Sequence, residues 1–187
     1  MILKKIVTLS LIVLIASLMA GFYGILHDQF TYSISPEYYT KFKFIQFGFL
    51  DGDRNPIHEI PNTRLLVALV GFMATWWVGT IIGFILGLMG LIHRDHKQML
   101  RVTLQAFVLA MCITLVSGLI GLAYGKFYLA ETGVNWWLPE NLMDKENFIA
   151  VGSMHNCSYL GGFLGLMAGA FFTIKKRKNK GNSIKSN

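Results

Sequence analysis

The sequence predicts an all-α integral membrane protein: a four-helix bundle built as two tandem helical hairpins, with an interfacial amphipathic helix in the first outer loop. Three observations point there. Only 14% of the residues are charged, where a soluble domain carries about 25%, and the mean hydropathy is +0.49. Four apolar runs, at about 6–26, 65–92, 102–124 and 148–174, each reach the roughly 20 residues that cross a hydrocarbon core about 30 Å thick. Basic residues gather at one end of those runs. Lys4, Lys5, Arg94, Lys97, Arg101, Lys175, Lys176, Arg177, Lys178, Lys180 and Lys185 make up 11 of the 17 Lys and Arg, and a single acid, Asp95, accompanies them.

That asymmetry sets the expected topology. Basic loops stay in the cytoplasm, so both termini are placed there, and the formal charge of +7 reads as an orientation signal. A nucleic-acid partner is not expected; the lipid bilayer is. Residues 1–174 form one membrane domain, with outer loops at 28–64 and 125–147. Residues 175–187, KKRKNKGNSIKSN, read as a basic disordered cytoplasmic tail lying against anionic lipid. The first run is longer than the 7–15 apolar residues of a secretory signal, so it is expected to stay as an anchor. Cys112 and Cys157 each fall near the middle of a run, which excludes a disulfide framework and predicts buried, inert thiols.

The first outer loop opens on a helix start. Ser35 is placed as N-cap, Pro36 at the first helical position and Glu37 in the first turn. Tyr38, Phe42, Ile45 and Phe49 then recur at helical spacing, with Lys41 and Lys43 off that stripe, as expected of a helix lying on the membrane surface. Gly48 or Gly52 ends it. Asp51, Asp53 and Asn55 open like a calcium loop, but Pro56 and Asn62 stand where glycine and glutamate belong, leaving a solvated turn. Trp136 and Trp137 supply interfacial aromatics in the second outer loop.

Two internal matches suggest a tandem duplication. The stretch from Ser17 resembles that from Thr114, and the Gly83 stretch GFILGLM resembles the Gly162 stretch GFLGLM. The second and fourth runs carry small residues every fourth position, Gly79, Gly83 and Gly87 in one and Gly161, Gly165 and Gly169 in the other. Small residues let helix backbones approach where lipid supplies no hydrophobic drive. Close helix packing is the expected role, within one chain or between copies.

Chemistry would have to sit at the outer face. His93 and His96 fall in the basic turn HRDHKQ and read as solvated. His27, His58 and His155 are all placed outward, each followed by a polar residue, Asp28, Glu59 and Asn156. His155 shares a helix face with Tyr159 and Gly162. With Glu37 and Tyr38 these make a polar cluster of His27, Asp28, Glu37, Tyr38, His58, Glu59, His155, Asn156 and Tyr159. An ionisable group at membrane depth is costly unless it faces protein or water, and so marks a candidate site. Three imidazoles and a carboxylate are ligands that a transition metal would accept, which nominates His27, His58, Glu59 and His155. The alternative is a structural network in which His155 bonds Tyr32, Asn156 or a backbone carbonyl and pins the helices.

The segments LHDQFTYSISPEYYTKFKFIQFG, ATWWVGTIIGFILGLMGLI and MHNCSYLGGFLGLMAG resemble those of a set of uncharacterised bacterial four-span inner-membrane proteins. The resemblance implies a bacterial inner membrane, in which the four runs make a multi-pass protein, and no particular activity. Three functional readings remain open. The leading one is a packing or interaction protein, a subunit of a membrane complex or a homo-oligomer. The second is a metal-dependent membrane enzyme or redox protein using the histidine cluster. The third is a small-solute transporter, which the proline-free runs and scarce intramembrane polar groups support least.

Overall fold

A computed structural model describes residues 2–51 and 62–183, with side chains as far as Arg177. His58, Glu59 and most of the turn after Asp51 lie outside the described residues. Five helices account for the architecture. Helix α1 is Ile2–Ile34; α2 covers residues 36–46; α3 is Thr63–Gly90; α4 is His96–Tyr124, extended through a π-helical turn at Gly125–Leu129 into Ala130–Thr132; and α5 is Lys145–Ser183. The stretches Ile2–Ile34, Thr63–Gly90, His96–Thr132 and Lys145–Arg177 are long and apolar enough to cross a membrane. Many large apolar side chains, Phe22, Leu18, Phe163 and Phe171 among them, face outward, as a lipid-solvated bundle requires. The chain is a multi-pass membrane protein with a four-helix bundle fold.

The helices overrun the apolar runs that announce them. At 1.5 Å per residue α1 is about 50 Å long, and it continues past His27 to Ile34 instead of entering a loop. Helix α5 likewise runs on through the basic residues to Ser183, where the composition predicts a disordered tail; residues 184–187 lie outside the described residues. Polar residues fix the starts. Asn62 accepts hydrogen bonds from the Arg64 and Leu65 amides at 2.9 and 3.3 Å, Asp95 accepts from Gln98 at 2.9 Å and Asp144 from Asn147 at 3.0 Å, so each occupies orphan donors of the first turn. Ser35 holds its predicted place before Pro36, but its side chain makes no cap hydrogen bond.

Helix packing is governed by glycine, and it is intramolecular. Helix α1 lies along α3, and α4 along α5. A Cβ placed on Gly24 would stand 2.1 Å from the Gly71 carbonyl oxygen, one on Gly79 2.5 Å from the Ala16 carbonyl, one on Gly83 2.4 Å from the Ala16 Cβ and one on Gly87 2.5 Å from Leu9. In the second pair, Gly161 meets Ser117 and Thr114, Gly165 meets Ala110, and Gly169 meets the Ala106 carbonyl. All six nominated glycines therefore touch the neighbouring helix of their own hairpin.

The two hairpins repeat one pattern of contacts. Gly24 approaches Gly71 and Thr75 as Gly121 approaches Ser153 and Cys157; Gly21 meets Phe72 as Gly118 meets Met154; Gly79 meets Ala20 as Gly161 meets Ser117. The α1–α4 correspondence is the one the sequence match implies. In the other pair of helices the contacts align Gly83 with Gly165, about one turn from Gly162, because a helix interface is set by spacing every fourth residue rather than by local similarity.

Helix α2 closes one end of the bundle, which we call the aromatic end. A π-helical turn at Tyr39–Lys43 inserts a residue into the predicted stripe and rotates the rest of the segment. Tyr38, Tyr39 and Phe44 are buried with Leu66, Val67, Val70, Phe148 and Val151, while Phe42, Ile45 and Phe49 are partly buried beside them. Lys43, expected off the stripe, is buried with its ammonium over the rings of Tyr38, Phe42 and Phe47. Gly48, at φ +73°, ends the segment. At the opposite, basic end, Lys5 Nζ donates to the carbonyls of Leu91 and His93 at 3.0 and 2.6 Å. His93 is buried there rather than solvated. Cys112, expected buried, is exposed on the bundle surface, and Cys157 is half-buried against Gly121.

Candidate functional site

Three of the nominated side chains meet beneath the aromatic end. His27 and Asp28 come from α1 and His155 from α5, and their metal-ligating atoms lie within 4.8 Å of one another. The His27 and His155 rings stand edge to face with centroids 4.7 Å apart. All three side chains are less than a tenth exposed. The focus is a single oxygen. Asp28 Oδ1 is 3.1 Å from His27 Nδ1 and 3.4 Å from His155 Nε2.

The protein fixes how each imidazole presents itself. His155 Nδ1 donates to the Val151 carbonyl, one turn back, at 2.9 Å. A carbonyl can only accept, so Nδ1 carries the proton and Nε2 is turned toward Asp28. The Tyr38 ring stacks on His155 at 4.8 Å between centroids, 30° from parallel. His27 directs Nε2 at the Ser158 hydroxyl, 3.4 Å away, and packs against Tyr23. Thr31 donates back to the His27 carbonyl at 3.1 Å, and its oxygen stands 2.6 Å from the Tyr39 hydroxyl. Asp28 Oδ2 and His155 Nε2 are buried without a hydrogen bond among the described residues.

The site opens on a cavity of about 280 Å³ between the two hairpins. Its polar end is Tyr23, His27, Asp28 and His155; toward the middle of the bundle the wall is apolar, with Val78, Ile82, Phe107, Met111 and Leu166. Tyr159 and Phe163 also line it and are more than half exposed on the bundle surface, so the cavity communicates sideways with whatever surrounds the helices. Gly162 borders it with room to spare: an added Cβ would meet only the Thr114 hydroxyl, at 3.8 Å.

The remaining nominees stand elsewhere. Asn156, one residue from His155, is exposed, because successive helical residues point about 100° apart. Glu37 is at the rim of the aromatic end, paired with Lys41 and accepting hydrogen bonds from the Met143 and Asp144 amides at 3.1 and 2.8 Å. Despite partial burial, which pushes upward, Lys41 and those amides hold its carboxyl below the usual glutamate range. Tyr38 covers the site and Tyr159 borders its cavity. Burial pushes the Tyr38 hydroxyl above its ordinary value and the Lys43 ammonium below its own, the latter offset in part by the Asp28 charge. Ser158 and Tyr23 belong to the site without standing among the sequence-derived candidates. Spacing is the signal that points to them: Ser158 is three positions from His155 and Tyr23 four from His27, each on the same helix face.

Among the described residues, the hairpin repeat does not duplicate this constellation. In the contact correspondence Asp28 answers to Gly125, His27 to Tyr124 and His155 to Met73, none of which can replace the ligand set. No protein-family model matches the chain, and no curated protein or solved structure is significantly similar to it.

Proposed function

We propose that the chain is an integral membrane protein that binds a small amphiphile in the cavity between its hairpins, with the ligand's polar head at His27, Asp28 and His155. One observation carries the reading: an apolar chamber that ends in three buried, polar side chains. An apolar wall suits a ligand's hydrocarbon part and a polar end its head group, and a purely structural histidine pair would need no void beside it. At about 280 Å³ it lies at the small end of ligand pockets, which run about 300–1,000 Å³, and suits one ring or a short stretch of chain. The lateral opening at Tyr159 and Phe163 suits entry from lipid. The 11 basic residues gathered at one end favour a cytoplasmic position for both termini and the site beneath the periplasmic face of a bacterial inner membrane. A role only as a packing subunit draws less support, since the glycine ladders are occupied within the chain.

The test is native mass spectrometry on protein extracted in mild detergent, beside a Gly162→Leu variant that fills the chamber. An amphiphile retained by the native chain and missing from the variant is the expected result. The same bound species on both, or detergent alone on both, removes the proposal.

A further inference from the structure

We infer that His27, Asp28 and His155 form a binding site for one borderline divalent transition metal ion, with Zn²⁺ the best fit, leaving at least one coordination position open toward the cavity. This goes beyond the amphiphile reading, since the ion would sit at the chamber's polar end whether or not a ligand fills the rest.

The geometry favours an ion over direct hydrogen bonds. His155 commits its Nδ1 proton to Val151, so a neutral ring turns the Nε2 lone pair toward the Asp28 Oδ1 lone pairs, 3.4 Å away. Two lone pairs facing each other in a buried site repel unless a proton or a metal ion lies between them. Ligand atoms bound to Zn²⁺ at 2.0–2.2 Å in a tetrahedron stand about 3.3–3.6 Å apart. The His155–Asp28 separation of 3.4 Å is such an edge, the 3.1 Å from His27 Nδ1 to the same oxygen falls just short of one, and the two imidazole nitrogens, which lie within 4.8 Å of each other, would close on the ion as it binds. One ion coordinated by these atoms would satisfy His155 Nε2, which has no hydrogen bond among the described residues, and replace the proton that His27 shares with Asp28.

The supporting contacts are those metal sites use. A ligating imidazole usually donates its other ring nitrogen to a carbonyl or carboxylate, which fixes its orientation, as His155 does to Val151. Two imidazoles and a carboxylate suit Zn²⁺ or a neighbouring first-row ion. Among the described residues the carboxylate is Asp28, beside His27.

The experiment uses the full chain in mild detergent, stripped with a chelator and titrated with Co²⁺. Expected is one saturable equivalent, with the intense visible absorption of a low-coordinate Co²⁺ site, displaced by Zn²⁺. Asp28→Asn and His155→Gln each should weaken binding at least tenfold, while His96→Ala leaves it unchanged. Absence of a saturable equivalent on the native chain overturns the inference, as does unaltered affinity in both folded variants. Pulsed electron-spin spectroscopy of the Cu²⁺-loaded native chain gives a reading that needs no variant. Two coordinated imidazoles support the site and fewer overturn it. Metal binding is measured without any amphiphile, so its failure is distinct from failure of the Gly162→Leu test.

Discussion

Asp28 Oδ1 stands 3.4 Å from His155 Nε2 across the seam between the two hairpins, while the other nitrogen of that imidazole is tied to Val151. Helices α1 and α5 belong to different hairpins, so this pair ties the two together beside the His27–His155 ring contact and the approach of His27 to Ser158. Asp28 and His155 stand in contact in a buried site, where changes at two neighbouring side chains do not simply add. A double-mutant cycle of Asp28→Asn and His155→Gln should therefore be non-additive by about 1–3 kcal/mol, read from thermal unfolding in detergent under chelation. Additive losses would show that the two side chains do not act on each other.

Gly24 offers a sharper test of the hairpin interface. A methyl group there would come within 2.1 Å of the Gly71 carbonyl and 2.2 Å of the Thr75 hydroxyl. Neither a backbone oxygen nor a hydroxyl already donating to Ala20 at 2.8 Å can retreat cheaply. Gly24→Ala should cost about 1–3 kcal/mol or more through forced separation of α1 and α3, and Gly121→Ala should behave alike in the second hairpin. Gly162→Ala, with 3.8 Å of clearance, should be neutral or slightly stabilising, since alanine favours helix by about 1 kcal/mol over glycine. Equal melting temperatures for all three variants would contradict the packing described.

The bundle is legible in the sequence because span length, charge scarcity and four-residue spacing of small residues are all one-dimensional signals. His27, Asp28 and His155 are legible as candidates because an ionisable side chain beside an apolar run stands out. Their convergence is not, because it depends on how two hairpins dock, and no local pattern encodes that. Asn156 is nominated by adjacency to His155, yet helical geometry sends neighbours to different faces. Helix α2 departs from its expected form for another reason. The stripe Tyr38, Phe42, Ile45 assumes a regular α-helical period, and the π-helical turn at Tyr39–Lys43 breaks it, so that Tyr39, Lys43 and Phe44 are buried along with Tyr38. Such a turn is stabilised by tertiary packing against Val67 and Val70, a signal absent from the segment itself.

Lys43 carries a pH prediction. Its ammonium is buried over three aromatic rings, whose attraction is worth about 0.5–2 kcal/mol, against a desolvation cost of several. Burial wins, and the folded-state pKa lies below the lysine reference of 10.5. Between the folded value and 10.5 the unfolded chain holds more protons, so stability should rise with pH through that window. Lys43→Met should raise the melting temperature near neutral pH, by on the order of 1 kcal/mol, and flatten the alkaline rise. A variant less stable than the native chain at neutral pH would mean that the rings hold the charge better than burial penalises it.

Glu37 predicts the opposite limb. Its carboxylate joins α2 to the start of α5 by accepting from the Met143 and Asp144 amides and pairing with Lys41, which keeps its folded pKa below the reference of 4.5. A depressed carboxyl contributes stability that is present above the unfolded value and lost as pH falls through the folded one. Melting temperature should therefore drop as the native chain is acidified below about pH 4.5, and part of that drop should vanish in Glu37→Gln. The glutamine keeps one acceptor oxygen but loses the charge, so the variant should be less stable at pH 7 and converge on the native chain in acid. Parallel curves across the whole acid range would place the acid sensitivity in another carboxylate and leave Glu37 a spectator at the rim.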